Sequence, residues 1–225
     1  MIQLFGVILL VVTSKGEMEN GKPTGLWLEE FAVPYEVFTE AGYEVIVVSP
    51  EGGAAPVDPR SLPENPTPAE KAALERLKNT RSLKDLKIPS VDAIFFAGGH
   101  GTMFDFPVDK NVSRLVTLAF EKDLPLGLVC HGPAALVGAR TASGEPVAKG
   151  RQVTGFTNRE EDAVNLTESM PFLLESKLRE QGATFSSAEN FKPHVVVDGN
   201  LVTGQNPASS RPAAEALLKQ ISRKP

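Results

Sequence analysis

The chain has 225 residues, 41% of them hydrophobic, and a net charge of −5 from 23 basic and 28 acidic residues. That is apolar material for one large α/β domain over 1–225, and without a basic run it leaves nucleic-acid binding no electrostatic footprint. The lone cysteine excludes an internal disulfide framework and cysteine-based zinc sites, and it points to the reducing cytoplasm.

The opening run Met1–Val12 is too short to span a bilayer and lacks the charged flank and small-residue cleavage site of a signal peptide. Its Val/Ile/Leu content suits a strand buried on both faces of a parallel sheet. A polar loop, Thr13–Gly25, leads to a helix over Leu26–Ala41 that Gly42 terminates. Glu44–Ser49 reads as the second strand, and the Pro/Gly/Asp-rich stretch Pro50–Pro66 as a long surface loop. Thr67-Pro68-Ala69-Glu70 has the form of a capping box with proline at its first helical position. Val91–Ala97 is a third buried strand and ends in Gly98-Gly99-His100-Gly101-Thr102. A helix over Pro107–Lys122 precedes the strand Pro125–Val129. Beyond it, Pro146–Phe156 and Val195–Thr203 are β-rich, the latter with Asp198-Gly199 as a hairpin turn, and Pro171–Gln181 and Ala208–Ile221 are amphipathic helices. The alternation predicts a doubly wound, mostly parallel α/β sheet sandwiched by helices, with ligands at the carboxyl ends of its strands.

Both unusual loops fall at those ends. Leu126–Val129 stops abruptly at Cys130-His131-Gly132, and a small-residue helical pattern follows. Strand, sharp turn and helix, with a nucleophile at the turn, is the order of a nucleophile elbow. Placed on a surface turn at a helix N-terminus, the thiol is expected to have a depressed pKa. His131 could fold its ring back over the thiol, or supply only its backbone N–H to an oxyanion hole. The Gly98–Gly101 loop lets backbone approach a ligand, either as a second oxyanion donor through the Gly99 N–H or as a phosphate loop, which the lack of Walker or Rossmann glycine spacing disfavours; His100 is a candidate substrate contact in the same loop. With three histidines and no paired spacing, no metal site is expected. Glu29 and Glu30 stand in the first helical turn among Trp27, Leu28 and Phe31, so burial should keep one of them protonated near Cys130; spacing alone does not choose between them. In Glu160-Glu161-Asp162 one acid could orient His131 through its far nitrogen, or the run could be a solvated helix start. Gly204-Gln205-Asn206-Pro207 could be a turn or a pocket rim.

Taken together, Thr24–Glu30, Phe95–Met103, Val129–Ala134, Thr154–Thr157 and Thr203–Ser210 resemble the ThiJ/PfpI superfamily over nearly the whole chain. They resemble most its heat-inducible, chaperone-like branch with glutathione-independent glyoxalases (glyoxalase III). The resemblance implies a flavodoxin-like fold of the class I glutamine amidotransferase type, usually dimeric, and a cofactor-free enzyme converting methylglyoxal to lactate. By position it assigns the nucleophile to Cys130, its histidine to His131, the helix acid to Glu30 and the third acid to Glu161. Oxyanion contacts fall on Gly99 and the His131 N–H, with His100 beside them. True amidotransferases place their histidine far downstream of the cysteine, and this chain does not, which argues against glutamine hydrolysis. The same residues would serve a stress chaperone or redox sensor, or a protein deglycase or cysteine peptidase. A small 2-oxoaldehyde substrate, a homodimer, no nucleic acid and no membrane complete the expectation.

Overall fold

The structure, a computed structural model, describes residues 6–84, 86 and 91–222. The first five residues of the opening apolar run lie outside that set. The run continues as β1 (Gly6–Val11), followed by α1 (Leu28–Glu40) and β2 (Tyr43–Ser49). Gly42, at φ 83°, follows the end of α1 and donates to Thr39 O, the turn that sequence placed there. Thr67 caps α2 (Pro68–Leu77) in a reciprocal box with Glu70, and β3 (Arg81–Ser82) closes this half of the sheet. The second half holds β4 (Ala93–Phe96), α3 (Thr102–Asp105), α4 (Lys110–Glu121), β5 (Leu126–Val129) and α5 (Ala134–Gly138). Next come β6 (Gln152–Val153), α6 (Asn158–Ala163), α7 (Leu174–Glu180), β7 (Thr184–Phe185), β8 (Val195–Asp198), β9 (Leu201–Gly204) and α8 (Ser210–Ile221).

The main sheet runs β3-β2-β1-β4-β5-β9-β8. All its pairs are parallel except the β8–β9 hairpin, and Gly199 at φ 61° makes that turn. Strands buried on both faces divide their side chains between two cores. Ile8, Leu10, Ala93 and Phe95 join the layer of Phe31, Phe38 and Leu217; Leu9, Val11, Ile94 and Phe96 join that of Leu115, Leu128 and Leu178. Strand order reverses between β1 and β4, and the loops after β4 and β5 lie at the carboxyl edge of this switch point, where ligands of such sheets bind. Two sequence readings shrink. The helix expected from Pro107 starts only at Lys110, where Asp109 caps it, and the β-rich reading of Pro146–Phe156 reduces to Gln152–Val153, which pairs with β7 in a separate two-stranded sheet. Among the described residues no helix is long and apolar enough to cross a membrane.

Candidate active site

Cys130 ends β5 at φ 58°, a left-handed conformation that a non-glycine residue adopts only where its surroundings impose it. Here they do. Its N–H donates to Gly204 O at 2.9 Å, its carbonyl accepts from Phe156 N at 2.9 Å, and Gly132 N closes the turn onto Val129 O at 2.7 Å. The elbow turns the His131 ring over the thiol, with Nδ1 3.3 Å from Cys130 Sγ. On the far side of the ring, His131 Nε2 meets Glu161 Oε2 at 2.8 Å. Sulfur, imidazole and carboxylate therefore stand in line, and the ring of Phe156 packs on His131 with centroids 4.5 Å apart. His131 and Glu161 are buried.

Of the two first-turn acids, Glu29 is exposed and Glu30 is fully buried. The α1 start is pinned to the β4 loop, with Trp27 N donating to Gly98 O at 3.2 Å. Two glycines permit that approach. A Cβ on Gly98 would lie 2.5 Å from Glu30 Oε2, and one on Gly99, at φ 104°, would lie 2.4 Å from Trp27 N. Among the described residues the N–H groups of Gly99 and His131 donate to nothing within the chain. Trp27, Glu30, Arg60, Gly99, Cys130 and Phe191 are among the walls of a cavity of about 250 Å³.

The electrostatics correct one sequence expectation. Cys130 is not on a surface turn; it is 4% exposed, and the helix after it has only five residues. Burial, followed by the neighbouring acids Glu30, Glu160 and Glu161, pushes the thiol well above its ordinary pKa. Burial likewise pushes Glu30 well up, with Glu29 adding to it; the Cys130 and Gly98 groups beside it act the other way but do not prevail. The thiol is therefore uncharged at neutral pH, and burial favours the protonated form of Glu30. Glu161 is the opposite case: burial works to raise it, but His131 and His100 outweigh burial and hold it well below the carboxylate range.

The family model described as DJ-1/PfpI matches residues 24–220. The chain belongs to the DJ-1/PfpI family. It is 32% identical over 227 residues to glyoxalase 3 of Candida albicans, covering 94% of this chain and 96% of that one. The crystal structure of Candida albicans glyoxalase III superposes with a TM-score of 0.86 at 31% identity, covering 96% of this chain and 97% of that one. The Rapid Encystment Protein 24 kDa of Francisella tularensis superposes at 0.92 with 38% identity, covering 96% and 99%.

In this DJ-1/PfpI member several polar residues that sequence reading passed over complete the site. The Pro50–Pro66 segment is more than a surface loop: its Asp58 is fully buried. Asp58 accepts from Arg60 Nε at 2.9 Å and Nη2 at 2.5 Å, and Nη2 also meets His100 Nδ1 at 3.2 Å. His100 Nε2 in turn meets Glu161 Oε1 at 2.8 Å, so one carboxylate bridges two histidines. Donor atoms of His100, His131 and Glu161 lie within 4.8 Å of one another, as in a metal site. The fit is poor, because the nitrogens facing Glu161 are spent on N–H···O bonds and the other two face Arg60 and Cys130. The acidic run divides: Glu160 and Glu161 are buried, Asp162 is exposed. Glu160 accepts from Thr157 N and Oγ1, Phe191 N and Asn206 Nδ2, so it and Asn206 hold α6 in place. Pro207 lines the cavity rim.

Proposed function

We propose that the chain is a glutathione-independent glyoxalase that converts methylglyoxal and water to lactate, with Cys130 as nucleophile. The observation that carries this reading is the Sγ–Nδ1 contact of 3.3 Å in a small, largely apolar cavity beside a buried carboxyl. As Sγ attacks the aldehyde carbon, its proton passes to His131 Nδ1 and from there to the new hemithioacetal oxygen. The idle N–H groups of Gly99 and His131 serve that oxygen while it carries charge. His131 then takes the C1 hydrogen as a proton while Glu30 gives its own to the C2 oxygen, which yields an enediol. His131 returns a proton to C2, and Glu30 takes the C1 hydroxyl proton, which leaves a lactoyl thioester. Water, deprotonated by His131, releases lactate and the thiol. C1 is oxidised and C2 reduced within one molecule, so neither glutathione nor a redox cofactor enters. Glu161 stabilises the imidazolium formed each time His131 takes a proton, from the thiol, from C1 and from water.

The reading extends to a cytoplasmic homodimer without nucleic-acid or membrane partners, which light scattering and fractionation test. The central test follows lactate from methylglyoxal without glutathione. The wild type is expected to form it, and a Cys130→Ala protein with unchanged circular dichroism is not. Undiminished lactate from the folded variant would remove Cys130 from the nucleophile's role.

A further inference from the structure

The Asp58–Arg60–His100 chain lies behind the Cys130–His131–Glu161 line, and no step above uses it. A guanidinium carries donors only and keeps its proton at any pH a protein survives. Its Nη2–H 3.2 Å from His100 Nδ1 therefore demands a lone pair on that nitrogen. A ring with a lone pair on Nδ1 carries its proton on Nε2, the atom 2.8 Å from Glu161 Oε1. His100 is thus a neutral donor to Glu161. It brings a hydrogen bond to the carboxylate without bringing a charge.

We propose that Arg60 is a positioning residue for the reaction, fixing His100 as its neutral Nε2–H tautomer so that the charge of Glu161 is reserved for His131. The rings of His100 and His131 have centroids 4.2 Å apart, and two cations at that distance repel strongly in a buried site. A protonated His100 would compete with His131 for the same carboxylate and oppose transfer of the thiol proton to Nδ1. Asp58 clamps two nitrogens of Arg60 and keeps the fork in register with His100. The groups facing His100 are Arg60 and Asp58 from the loop, Glu161 from α6 and His131 from the elbow, with Cys130 and Glu30 beyond His131. Burial first, then His131 and Arg60, lower the pKa of His100 to about 4 against the pull of Glu161.

The inference rests on the glyoxalase reading for its kinetic arm and on spectroscopy alone for its structural arm. In ¹⁵N spectra of the full-length wild type, His100 is expected to keep a protonated Nε2 and a bare Nδ1 from pH 5 to 8. In Arg60→Met the Nδ1 loses its donor, so a signal from the Nδ1–H tautomer should appear and the titration of His100 should move upward from its wild-type position. With methylglyoxal, kcat of Arg60→Met relative to wild type should be several-fold lower at pH 5.5 than at pH 8, with KM little changed. Arg60→Lys, which keeps a donor and a charge, should recover part of the loss at pH 5.5. A wild-type His100 that is protonated on Nδ1 or titrates near pH 6.5 would overturn the proposal. So would superimposable pH profiles, or a rise in KM with kcat unchanged, which would make Arg60 a substrate contact. A wild type that forms no lactate would instead defeat the glyoxalase reading, leaving the ¹⁵N result to judge Arg60.

Discussion

Burial favours the protonated form of both Cys130 and Glu30, and that sets what single substitutions should do. Glu29 and Glu30 are adjacent on α1, so they point about 100° apart, and only Glu30 faces the thiol. Glu30→Gln retains size and hydrogen bonding but cannot exchange protons with the hemithioacetal. It should lower kcat by about 10²–10⁴, whereas Glu29→Gln should stay within a few-fold of wild type. Equal, mild losses in the two variants would show that neither carboxyl takes part. The thiol has its own test. Iodoacetamide should alkylate Cys130 slowly at pH 7, and the rate should climb only above the ordinary thiol value of about 8.5. A plateau reached below pH 7 would mean a resting thiolate. The sequence placed this residue at a sharp turn after a strand, as the structure does, and misjudged its ionisation. The elbow is local and visible in Val129-Cys130-His131-Gly132, but Glu30, Glu160 and Glu161 reach it from distant parts of the chain.

Among the elements, α6 shows how a short helix can be held to site-grade precision. It is six residues long, too short to persist on its own propensity. Glu160 gives it a reciprocal cap with Thr157 and ties it to Phe191 N and Asn206 Nδ2, both from beyond β7. Glu160→Ala would orphan those donors, at a cost of about 1–3 kcal/mol for each one left buried. The variant should melt earlier and also lose kcat, because Glu161 is the next residue along. A lower Tm with wild-type kcat would mean that other contacts hold Glu161 in place. Sequence reading recognised the acidic run but not its division of labour, since one acid caps and the next faces the histidines. It likewise missed Arg60, whose Pro- and Gly-rich neighbourhood has turn chemistry; the long-range bonds that bring it under His100 leave no periodic trace.

At the scale of the whole molecule the architecture was legible because each central strand is apolar on both faces, a pattern that a parallel sheet between two helical layers requires. Boundaries failed where caps and packing decide them, as at Asp109 ahead of α4. The two halves of the sheet meet at one further, half-buried acid. Asp105, at the end of α3, accepts from Thr13 Oγ1 at 2.7 Å and Ser14 N at 2.8 Å, fastening the loop after β1 to the segment after β4. Burial, only partly offset by these bonds, raises its pKa to about 6 from 3.8. Between those values the unfolded chain has lost a proton that the native state keeps, so this group makes stability fall as pH rises. The full effect is at most about 3 kcal/mol, at 1.36 kcal/mol per unit. Asp105→Asn keeps an acceptor for Thr13 and Ser14 and should flatten the difference in Tm between pH 4 and 6.5. A slope unchanged from wild type would assign that pH dependence to other groups.

The uncharged thiol has a bearing on how such a protein ages. Peroxide oxidises thiolates far faster than thiols. On the proposed mechanism, a thiol that gives up its proton only when an aldehyde is already in the cavity spends nearly all its time in a form that peroxide attacks slowly. The catalyst should therefore lose little capacity to oxidative wear between turnovers, even though its one sulfhydryl is the only one it has to lose.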